Sequence, residues 1–426
     1  MRGPGDEPKS VSRGGIRERR ARRDMFPIGA TVTMRDLGGE LHPLLRRLRA
    51  SEPVSWLPVL GGWLVTRRDL ALRVLRDART FTVDDPRFST ARVIGPSMLS
   101  LDGADHARHR DPFAEAFRPD GAAAGLEQFA RAEAARLVSG FAADGRAELR
   151  RDLAGPLAVA VVAELLGLAE TDPRVILSWY DEIVGAVSAL AGASGQEGSL
   201  RAGPAARNGG GDAFEKLSAS LQDAIAAGRD GSLLAAAAGA GGLRGGEVVS
   251  NAAVLMFGGI ETTEGMICNA VLHLLGRPSQ LREVLADPGL IANAVEESLR
   301  LEPAAAVVDR YATADVQFGG ARVRRGDLVS VSLAGAGRDP GFFPDPDRFD
   351  LRRANARQNL AFAHGPHYCI GAHLARIEAR AAVAALLRLP GLRLDPGQPA
   401  APGGVVFRKP LALHMRWKAG GAGPAR

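Results

Sequence analysis

The spacing of hydrophobic positions along the chain predicts a mainly helical protein. Apolar residues recur every three or four positions over several long stretches, which is the pattern of helices with one buried face. The longest stretch, 247–275, would span about 40 Å at about 1.5 Å per residue, the width of a domain. The helical stretches cover 40–50, 69–77, 105–178 with short breaks, 178–190, 212–228, 230–245, 247–275, 280–301 with a break at Asp287-Pro288, and 371–389.

Shorter stretches predict a few small β-sheets. The sequence WLPVLGGWLVTRR predicts a hairpin with Gly61-Gly62 at its turn. The runs VVDRYA, VQFGG and DLVSVSL predict further strands, as does 405–407. Two long segments have no period: 82–103 is predicted to be a loop, and the glycine-rich 190–212 a flexible connection between helices. The fold class expected is therefore mainly α with small β-sheets.

The net charge of the chain is concentrated at its N-terminus. Residues 1–24 hold seven arginines and one lysine against four acids, which is a net +4 out of the formal +6 of all 426 residues. We interpret 1–24 as a basic, disordered extension rather than a nucleic-acid-binding arm. One folded domain over 25–418 and a flexible tail over 419–426 are expected to follow it.

The remaining composition favours a cytoplasmic protein. The chain has two cysteines, Cys268 and Cys369, which cannot form a disulfide framework. It has no run of about 18 apolar residues that could span a membrane, and no apolar stretch follows the basic N-terminus as it would in a secretory signal. We expect a reducing, cytoplasmic location, a monomer, and no nucleic-acid or membrane partner.

Cys369 lies in the sequence FAHGPHYCIG at 362–371, directly before a predicted helix. A helix N-terminus lowers the pKa of a nearby thiol, and glycines let the backbone approach a large flat group. Apolar Phe362 and basic His367 suit a flat, apolar cofactor with an anionic rim. Haem is such a cofactor, and it accepts a thiolate as axial ligand. The alternative is a buried, inert cysteine.

The longest predicted helix carries a second unusual segment, FGGIETT at 257–263. Two glycines in a helix interior cost about 1 kcal/mol each relative to alanine, so something must offset them. We expect the missing side chains to leave room for a ligand, and the hydroxyl of Thr262 to disturb the backbone ladder. The apolar flanks argue against a solvated face, and Cys268 is expected in the core.

The segment around Cys369 resembles the haem-binding signature of the cytochrome P-450 monooxygenases, F-x-x-G-x-H-x-C-x-G. Five positions match, and Ala363 departs from the glycine of many members, where we expect it to add only a methyl group. The resemblance extends over nearly the whole chain from about residue 25, and it implies the cytochrome P-450 fold, haem b and a haem–thiolate bond. The matching residues are Phe362, Gly365, His367, Cys369, which is the implied metal ligand, and Gly371.

The resemblance assigns roles to further residues. The sequence EESLR matches the E-x-x-R pair of the family, with Glu297 and Arg300 expected to form a buried triad with Arg348 of PDPDRFD. His106 and Arg110 of DHARHR, Arg310 of VDRYAT and His367 are expected to hold the haem propionates. Glu261 and Thr262 match the acid–alcohol pair that supplies protons to dioxygen during its activation. Arg108 and His109 are expected to be exposed polar residues.

The resemblance also implies a substrate pocket above the haem. Residues 87–99 are expected to cap it, and the glycine-rich 191–211 to hinge its lid. Because the expected lining is small and apolar, we predict an apolar or amphipathic substrate. The residues predicted to line the pocket are Ala253, Val254 and Phe257 of the long helix, Ala305 and Val307 after it, and Val406 near the C-terminus.

The function implied is a haem-thiolate monooxygenase of secondary metabolism, with hydroxylation as the expected reaction. A ferredoxin and its reductase are expected to supply two electrons, because the chain leaves no room for a flavin or iron–sulfur module. Arg353 and Arg376, near the thiolate side, are expected to steer this partner. Two alternatives stay open: a peroxide-driven peroxygenase, and a non-enzymatic haem sensor or carrier.

Overall fold

The computed structural model describes residues 22–114, 117, 125–168, 170–194, 205–227 and 233–419, and all of their side chains except those of 187–194 and 205–211. Most of the predicted N-terminal extension and C-terminal tail lies outside these residues. Arg22, within the predicted extension, is already part of the fold: its guanidinium lies 4.2 Å from the ring centre of Trp56 and 3.1 Å from a carboxylate oxygen of Asp327.

Helices form most of the described chain. In chain order they are α1 Met34–Gly38, α2 Leu41–Ser51, α3 Arg68–Arg76, α4 Ser89–Ile94, α5 Gly103–Ala114, α6 Leu126–Phe141, α7 Gly155–Leu165, α8 Pro173–Ser194, α9 Ala205–Ala226, α10 Leu233–Gly239, α11 Gly245–Leu275, α12 Pro278–Ala286, α13 Ile291–Leu301, α14 Leu333–Gly337 and α15 Ala372–Leu386.

The central helix α11 runs through the largest hydrophobic core. The Glu247 carboxylate accepts the backbone N–H of Arg244 at 2.8 Å, which caps its first turn. Buried residues lie on every side of most of the helix, as expected of a helix surrounded by others. It packs against α7, α13 and α15, and its bounds confirm the predicted 247–275 within two residues.

The strands form small sheets beside this helical core. The largest has the order β1-β2-β8-β5-β3, in which β2 and β8 run parallel and the other pairs are antiparallel. Trp63 and Val65 of β2 pack on one face of this sheet and Leu64 on the other, so both faces are buried. The strands are β1 Val54–Leu57, β2 Gly62–Val65, β3 Phe81–Thr82, β4 Arg146–Glu148, β5 Val307–Ala312, β6 Val316–Phe318, β7 Ala321–Val323, β8 Leu328–Ser332, β9 Arg393–Leu394, β10 Pro402–Gly403, β11 Lys409–Pro410 and β12 His414–Arg416.

Three predicted segments differ from the structure. The segment 82–103, predicted as a loop, contains α4, and 405–407 is not a strand but makes one isolated bridge from Phe407 to Ala305. The predicted connection 190–212 is partly helical, because α8 extends to Ser194 and α9 begins at Ala205. The centre of the predicted lid hinge, 195–204, lies outside the described residues. No helix within the described ranges is long and apolar enough to cross a membrane.

Candidate functional site

The loop 362–371 presents Cys369 to a large cavity. The Cys369 amide donates to the carbonyl of Phe362 at 3.0 Å, and the Tyr368 amide to that of Gly365 at 3.0 Å, which folds the loop back on itself. Gly365 has φ +73°, and a Cβ there would lie 2.3 Å from the Leu75 carbonyl oxygen. Glycine is therefore required both by the backbone conformation and by the close approach of α3.

The two thiols of the chain differ in their surroundings. Cys268 is fully buried in the core of α11, whereas Cys369 is exposed to the cavity. Although it faces the cavity, the Cys369 thiol is shielded from bulk water by the surrounding protein, and this desolvation raises its pKa. The Gly371 amide and the charges of Arg110 and Arg376 oppose that rise. Cys369 is thus the thiol that can reach a ligand in the cavity, and it has cationic neighbours that favour a thiolate.

Ala363 carries a strained backbone in the same loop. Its φ is +56°, in the left-handed region that favours glycine. The sequence led us to expect only an added methyl group at this position, and that expectation was incomplete. A side chain in this conformation costs roughly 1–2 kcal/mol, so the departure from the family's glycine has an energetic cost.

A cavity of about 1630 Å³ lies between the Cys369 loop and α11. A Cβ on Gly258 would meet no atom within 4 Å, whereas one on Gly259 would lie 2.8 Å from Val162 of α7. The two glycines therefore have different causes: Gly258 opens space along the cavity wall, as predicted, and Gly259 permits close helix packing. Thr262 lines the same wall, and its hydroxyl donates to the Gly258 carbonyl.

Glu261 is held at the cavity wall by two side chains from distant parts of the chain. The Tyr180 hydroxyl of α8 donates to Glu261 Oε2 at 2.7 Å, and Lys409 Nζ of β11 lies 3.3 Å from Oε1. Burial raises the pKa of the Tyr180 hydroxyl, and the neighbouring Glu261 charge raises it further. Tyr180 therefore stays protonated and donates its hydrogen to the carboxylate.

The contacts of Glu261 continue towards the surface. Lys409 Nζ also lies 2.7 Å from Glu264, one turn along α11, and Glu264 Oε1 accepts from Arg150 Nε at 2.5 Å. Arg150 donates in turn to the carbonyl of Leu411, whose side chain is exposed. Sequence analysis missed Tyr180, Lys409 and Arg150, because no local pattern connects them with the acid–alcohol pair.

The four residues predicted to hold propionates converge on one side of the cavity. Arg110, Arg310 and His367 line it, and His106 lies behind His367 with ring centres 4.3 Å apart. Among the residues that the structure describes, His106 Nε2 is buried without a hydrogen-bond partner. Desolvation and the charges of His367 and Arg110 lower the pKa of His106 to about 4.

A carboxylate is hydrogen-bonded to this basic cluster, since Asp102 Oδ1 lies 2.8 Å from His367 Nε2. Its hydrogen bonds from His367, Thr82 and the Val83 amide outweigh desolvation and lower the pKa of Asp102 to about 2. Arg110 and Arg310 face the same cavity, and within the described residues the buried His106 nitrogen without a hydrogen-bond partner calls for a further acceptor. These residues fit a cofactor with anionic groups at its rim, as haem has.

Glu297 and Arg300 form the predicted buried pair, and the third member differs from the prediction. Arg300 Nε donates to Glu297 Oε2 at 2.7 Å, and neither side chain is exposed. Arg353 Nε, not Arg348, donates to Glu297 Oε1 at 2.9 Å. The Arg348 side chain is 66% exposed and contributes only its backbone carbonyl, which accepts from Arg300 Nη2 at 3.0 Å. The assignment of Arg348 to the triad is therefore wrong.

Two buried polar groups were not predicted in these roles. His109, expected on the surface, is buried and lies 2.9 Å from the side-chain amide of Asn251 in α11. Glu302, which follows α13, is buried between His42 Nε2 at 2.7 Å and Arg408 Nε at 2.8 Å. Both connect segments that are far apart in the chain, which a local sequence pattern cannot reveal.

The cavity walls agree with most of the predicted substrate pocket. Val254, Phe257, Ala305, Val307 and Val406 line the cavity, as do Arg87, Phe88, Ser89, Thr90, Met98 and Leu99 from the predicted cap. Ala253 does not, because its position on α11 faces the hydrophobic core, where it is 1% exposed. Its assignment to the pocket is wrong.

Comparison with known proteins identifies the family. Residues 214–402 match the family model described as Cytochrome P450. The chain is 36% identical over 409 residues to the cytochrome P450 monooxygenase PikC of Streptomyces venezuelae, covering 90% of this chain and 93% of PikC. It is 35% identical over 386 residues to the mycinamicin IV hydroxylase/epoxidase of Micromonospora griseorubida, covering 87% and 94%.

A solved structure agrees with these relatives. The crystal structure of CalO2 superimposes with a TM-score of 0.82 at 31% identity, covering 91% of this chain and 99% of that one. Membership of this family accounts for three features together: the fold, the cavity between α11 and the Cys369 loop, and the basic cluster at the side of that cavity. The chain is a member of the cytochrome P450 family, a haem b-binding monooxygenase.

Proposed function

We propose that this cytochrome P450 hydroxylates an apolar or amphipathic small molecule in natural-product biosynthesis. The observation that supports this most directly is that the Cys369 thiol and the Glu261–Thr262 pair line one cavity. Bound haem supplies the redox chemistry that activates dioxygen and transfers one oxygen atom to a substrate. The protein supplies the thiolate, the orientation of the substrate and the protons.

In this proposal the thiolate of Cys369 would hold the haem iron. Arg110, Arg310, His106 and His367 hold the propionates, and charge-assisted bonds from arginine make that attachment strong and directional. Phe362, whose ring has the Arg376 guanidinium 4.4 Å from its centre, packs beside the cofactor. Gly371, which lines the cavity, lets the start of α15 approach the cofactor without a side chain between them. Gly365 instead keeps the loop folded against α3.

Glu261 and Thr262 deliver protons to the cavity. The Thr262 hydroxyl can donate its proton to a group beside α11. A water or an acid behind it can then replace that proton. Glu261 is suited to that second position because the Tyr180 hydroxyl holds one of its oxygens and Lys409 the other. The contacts from Lys409 through Glu264 to Arg150 give protons a polar route from the surface.

Hydroxylation of a natural product is supported by the cavity and by the relatives. Side chains such as Val254, Phe257 and Val307 give the cavity a mostly apolar wall. One relative, at 35% identity, is the 20-oxo-5-O-mycaminosyltylactone 23-monooxygenase of Streptomyces fradiae, and another is the mycinamicin hydroxylase/epoxidase. Both names describe the addition of oxygen to the compound that they name.

We propose a ferredoxin and its reductase as electron donors, in the cytoplasm. The basic residues first expected to steer the ferredoxin are not available: Arg353 is buried with Glu297, and Arg376 pairs with Glu296 at 2.5 Å. Arg357 and His373, both exposed beside a small cleft that Cys369 also lines, are better placed to attract an acidic partner. Electron-transfer rates should therefore fall as salt rises.

Turnover under three conditions tests the proposed function. The haem-loaded protein is supplied with a panel of apolar and amphipathic small molecules and with ferredoxin, reductase and NADPH, with hydrogen peroxide alone, or with neither. We expect a product heavier by one oxygen in the first condition only. Equal turnover with peroxide alone would indicate a peroxygenase, and substrate-induced haem shifts without any product would indicate a sensor or carrier.

A further inference from the structure

The cavity above Cys369 has a second end, which opens at the surface and is lined by charged side chains. It opens at the surface between the N-terminal segment, the turn between β1 and β2, and the turn between β7 and β8. Its lining there includes Trp56, Pro58 and Gly61 of the first turn region and Arg324 and Arg325 of the second. Because Gly61, Arg324 and Arg325 are exposed, this end is the mouth of the cavity.

The described residues at the mouth include more arginines than acids. Two aspartates, Asp309 and Asp327, line the cavity near it, and Asp85 lies close by as the partner of Arg87. Among the described residues, these three acids lie beside five arginines. The arginines that line the mouth are Arg22, Arg23, Arg87, Arg324 and Arg325.

The acids near the mouth are already engaged by the protein. Asp327 accepts from the indole of Trp63 at 2.8 Å and from Arg22 at 3.1 Å, and Asp309 accepts from the Ser330 hydroxyl at 2.6 Å. Within the described part of the chain, the side chains of Arg23 and Arg325 form no ion pair or hydrogen bond. Two guanidinium groups at the mouth are thus available to a ligand.

Other arginines of the mouth are fixed in place. Arg22 lies over the ring of Trp56 at 4.2 Å. Arg87 lies over the ring of Tyr311 at 4.3 Å and donates to the Gly326 carbonyl at 2.9 Å, beside Arg325. Stacked and hydrogen-bonded guanidinium groups lose little freedom when an anion binds, which favours recognition of a carboxylate.

We propose that the mouth binds the anionic end of the substrate, and that the substrate is a carboxylate-bearing amphipathic molecule. The apolar part of the substrate extends along the cavity towards Thr262. Its carboxylate is held at the surface by Arg23 and Arg325, and the positive charges of the fixed arginines attract it further. This inference rests on the proposed function and narrows its substrate class. It also sets the direction of entry, with the oxidised carbon at the end remote from the carboxylate.

Three probes with the same chain and different head groups test the charge preference. Dodecanoate, dodecan-1-ol and dodecyltrimethylammonium are titrated into the haem-loaded enzyme below their micelle concentrations. Binding is measured by equilibrium dialysis and by the shift of haem absorption. We expect the acid to bind about tenfold more tightly than the alcohol, because one charge-assisted hydrogen bond contributes about that much affinity. The cation should bind most weakly. Raising the salt concentration should shrink the difference between acid and alcohol.

A variant pair assigns the effect to the mouth. Arg23→Gln combined with Arg325→Gln should weaken dodecanoate binding about tenfold and leave the alcohol unchanged. Arg322→Gln is the matched control, because Arg322 is exposed nearby, pairs with Asp315 at 3.2 Å and does not line the cavity. Equal affinity for acid and alcohol, tighter binding of the cation, no binding of any probe, or an unaffected double variant would overturn the inference. None of these outcomes touches the haem–thiolate bond or turnover on other substrates, so the proposed function would stand or fall separately.

Discussion

At the scale of single residues, backbone conformation decides how closely the Cys369 loop approaches its surroundings. The pattern of glycines around Cys369 predicted such an approach, and Gly365 bears it out through its positive φ and its contact with Leu75. The strain at Ala363 could not be predicted, because an alanine does not reveal the sign of its own φ.

Replacing Ala363 with glycine should stabilise the protein. The change relieves a left-handed alanine, and part of the gain is offset by the greater freedom of glycine in the unfolded chain, which leaves about 1 kcal/mol. The midpoint of urea unfolding of the haem-loaded protein measures it. Ala361→Gly is the control: φ at Ala361 is not positive, so this change should destabilise. A lower stability of the Ala363→Gly variant would contradict the claim that the backbone of Ala363 is strained.

The hydroxyl of Thr262 has a separate consequence. Thr262→Ala keeps the helix intact, since alanine is the best helix former, and should leave substrate binding and haem spectra unchanged. Less product should form per NADPH consumed, and the missing electrons should appear as hydrogen peroxide. Thr262→Ser should restore coupling, and Thr263→Ala should have little effect. A fully coupled Thr262→Ala would place the proton route elsewhere.

At the scale of elements, buried ion pairs join segments that the sequence presents far apart. The helical spacing of Glu297 and Arg300 was enough to predict their pairing. The third partner was mispredicted because several arginines follow α14, and only the folded chain determines which one turns inward. The network of Glu302 was missed entirely, since His42 and Arg408 come from opposite ends of the chain.

Arg353 and Arg348 form a matched pair for testing that network. Arg353→Ala leaves the Glu297 carboxylate short of a buried partner and should cost about 3–5 kcal/mol. Arg348→Ala removes an exposed side chain and should change stability by no more than about 0.5 kcal/mol. Urea unfolding and the fraction of protein that retains haem measure both effects. The reverse order would restore Arg348 to the triad.

Glu302 should make stability depend on pH below neutrality. Desolvation opposes its charge, but His42, Arg408 and Arg338 outweigh it and lower the pKa of Glu302 to about 2. The stabilisation is therefore complete above the ordinary glutamate pKa and is lost as pH falls towards 2, by about 3 kcal/mol in total.

The variant Glu302→Gln isolates this contribution from that of other acids. Its loss of stability relative to the unaltered protein, measured by urea unfolding, should be largest at about pH 6–7, where ionised Glu302 contributes its full stabilisation. The loss should shrink steadily between about pH 5 and pH 3. A difference that stays constant over that interval would mean that Glu302 is not held ionised by its neighbours.

At the scale of the whole molecule, residues from the N-terminal third, the central helix and the C-terminal third meet at one cavity. The motifs predicted most of this assembly, because the residues that define the cofactor site lie in short, recognisable segments. The contacts of Tyr180 and Lys409 with Glu261, and the arginines at the mouth, depend on how distant segments pack. No local spacing encodes them.

The central claim is that Cys369 supplies a thiolate to haem at the floor of this cavity. The most direct test is the absorption spectrum of the reduced, haem-loaded protein with carbon monoxide. The unaltered protein and Cys268→Ala should absorb at the position typical of thiolate-bound haem, and Cys369→Ala should lose that band. A band at the position typical of histidine-bound haem in the unaltered protein, or loss of the thiolate band in Cys268→Ala instead of Cys369→Ala, would contradict the account.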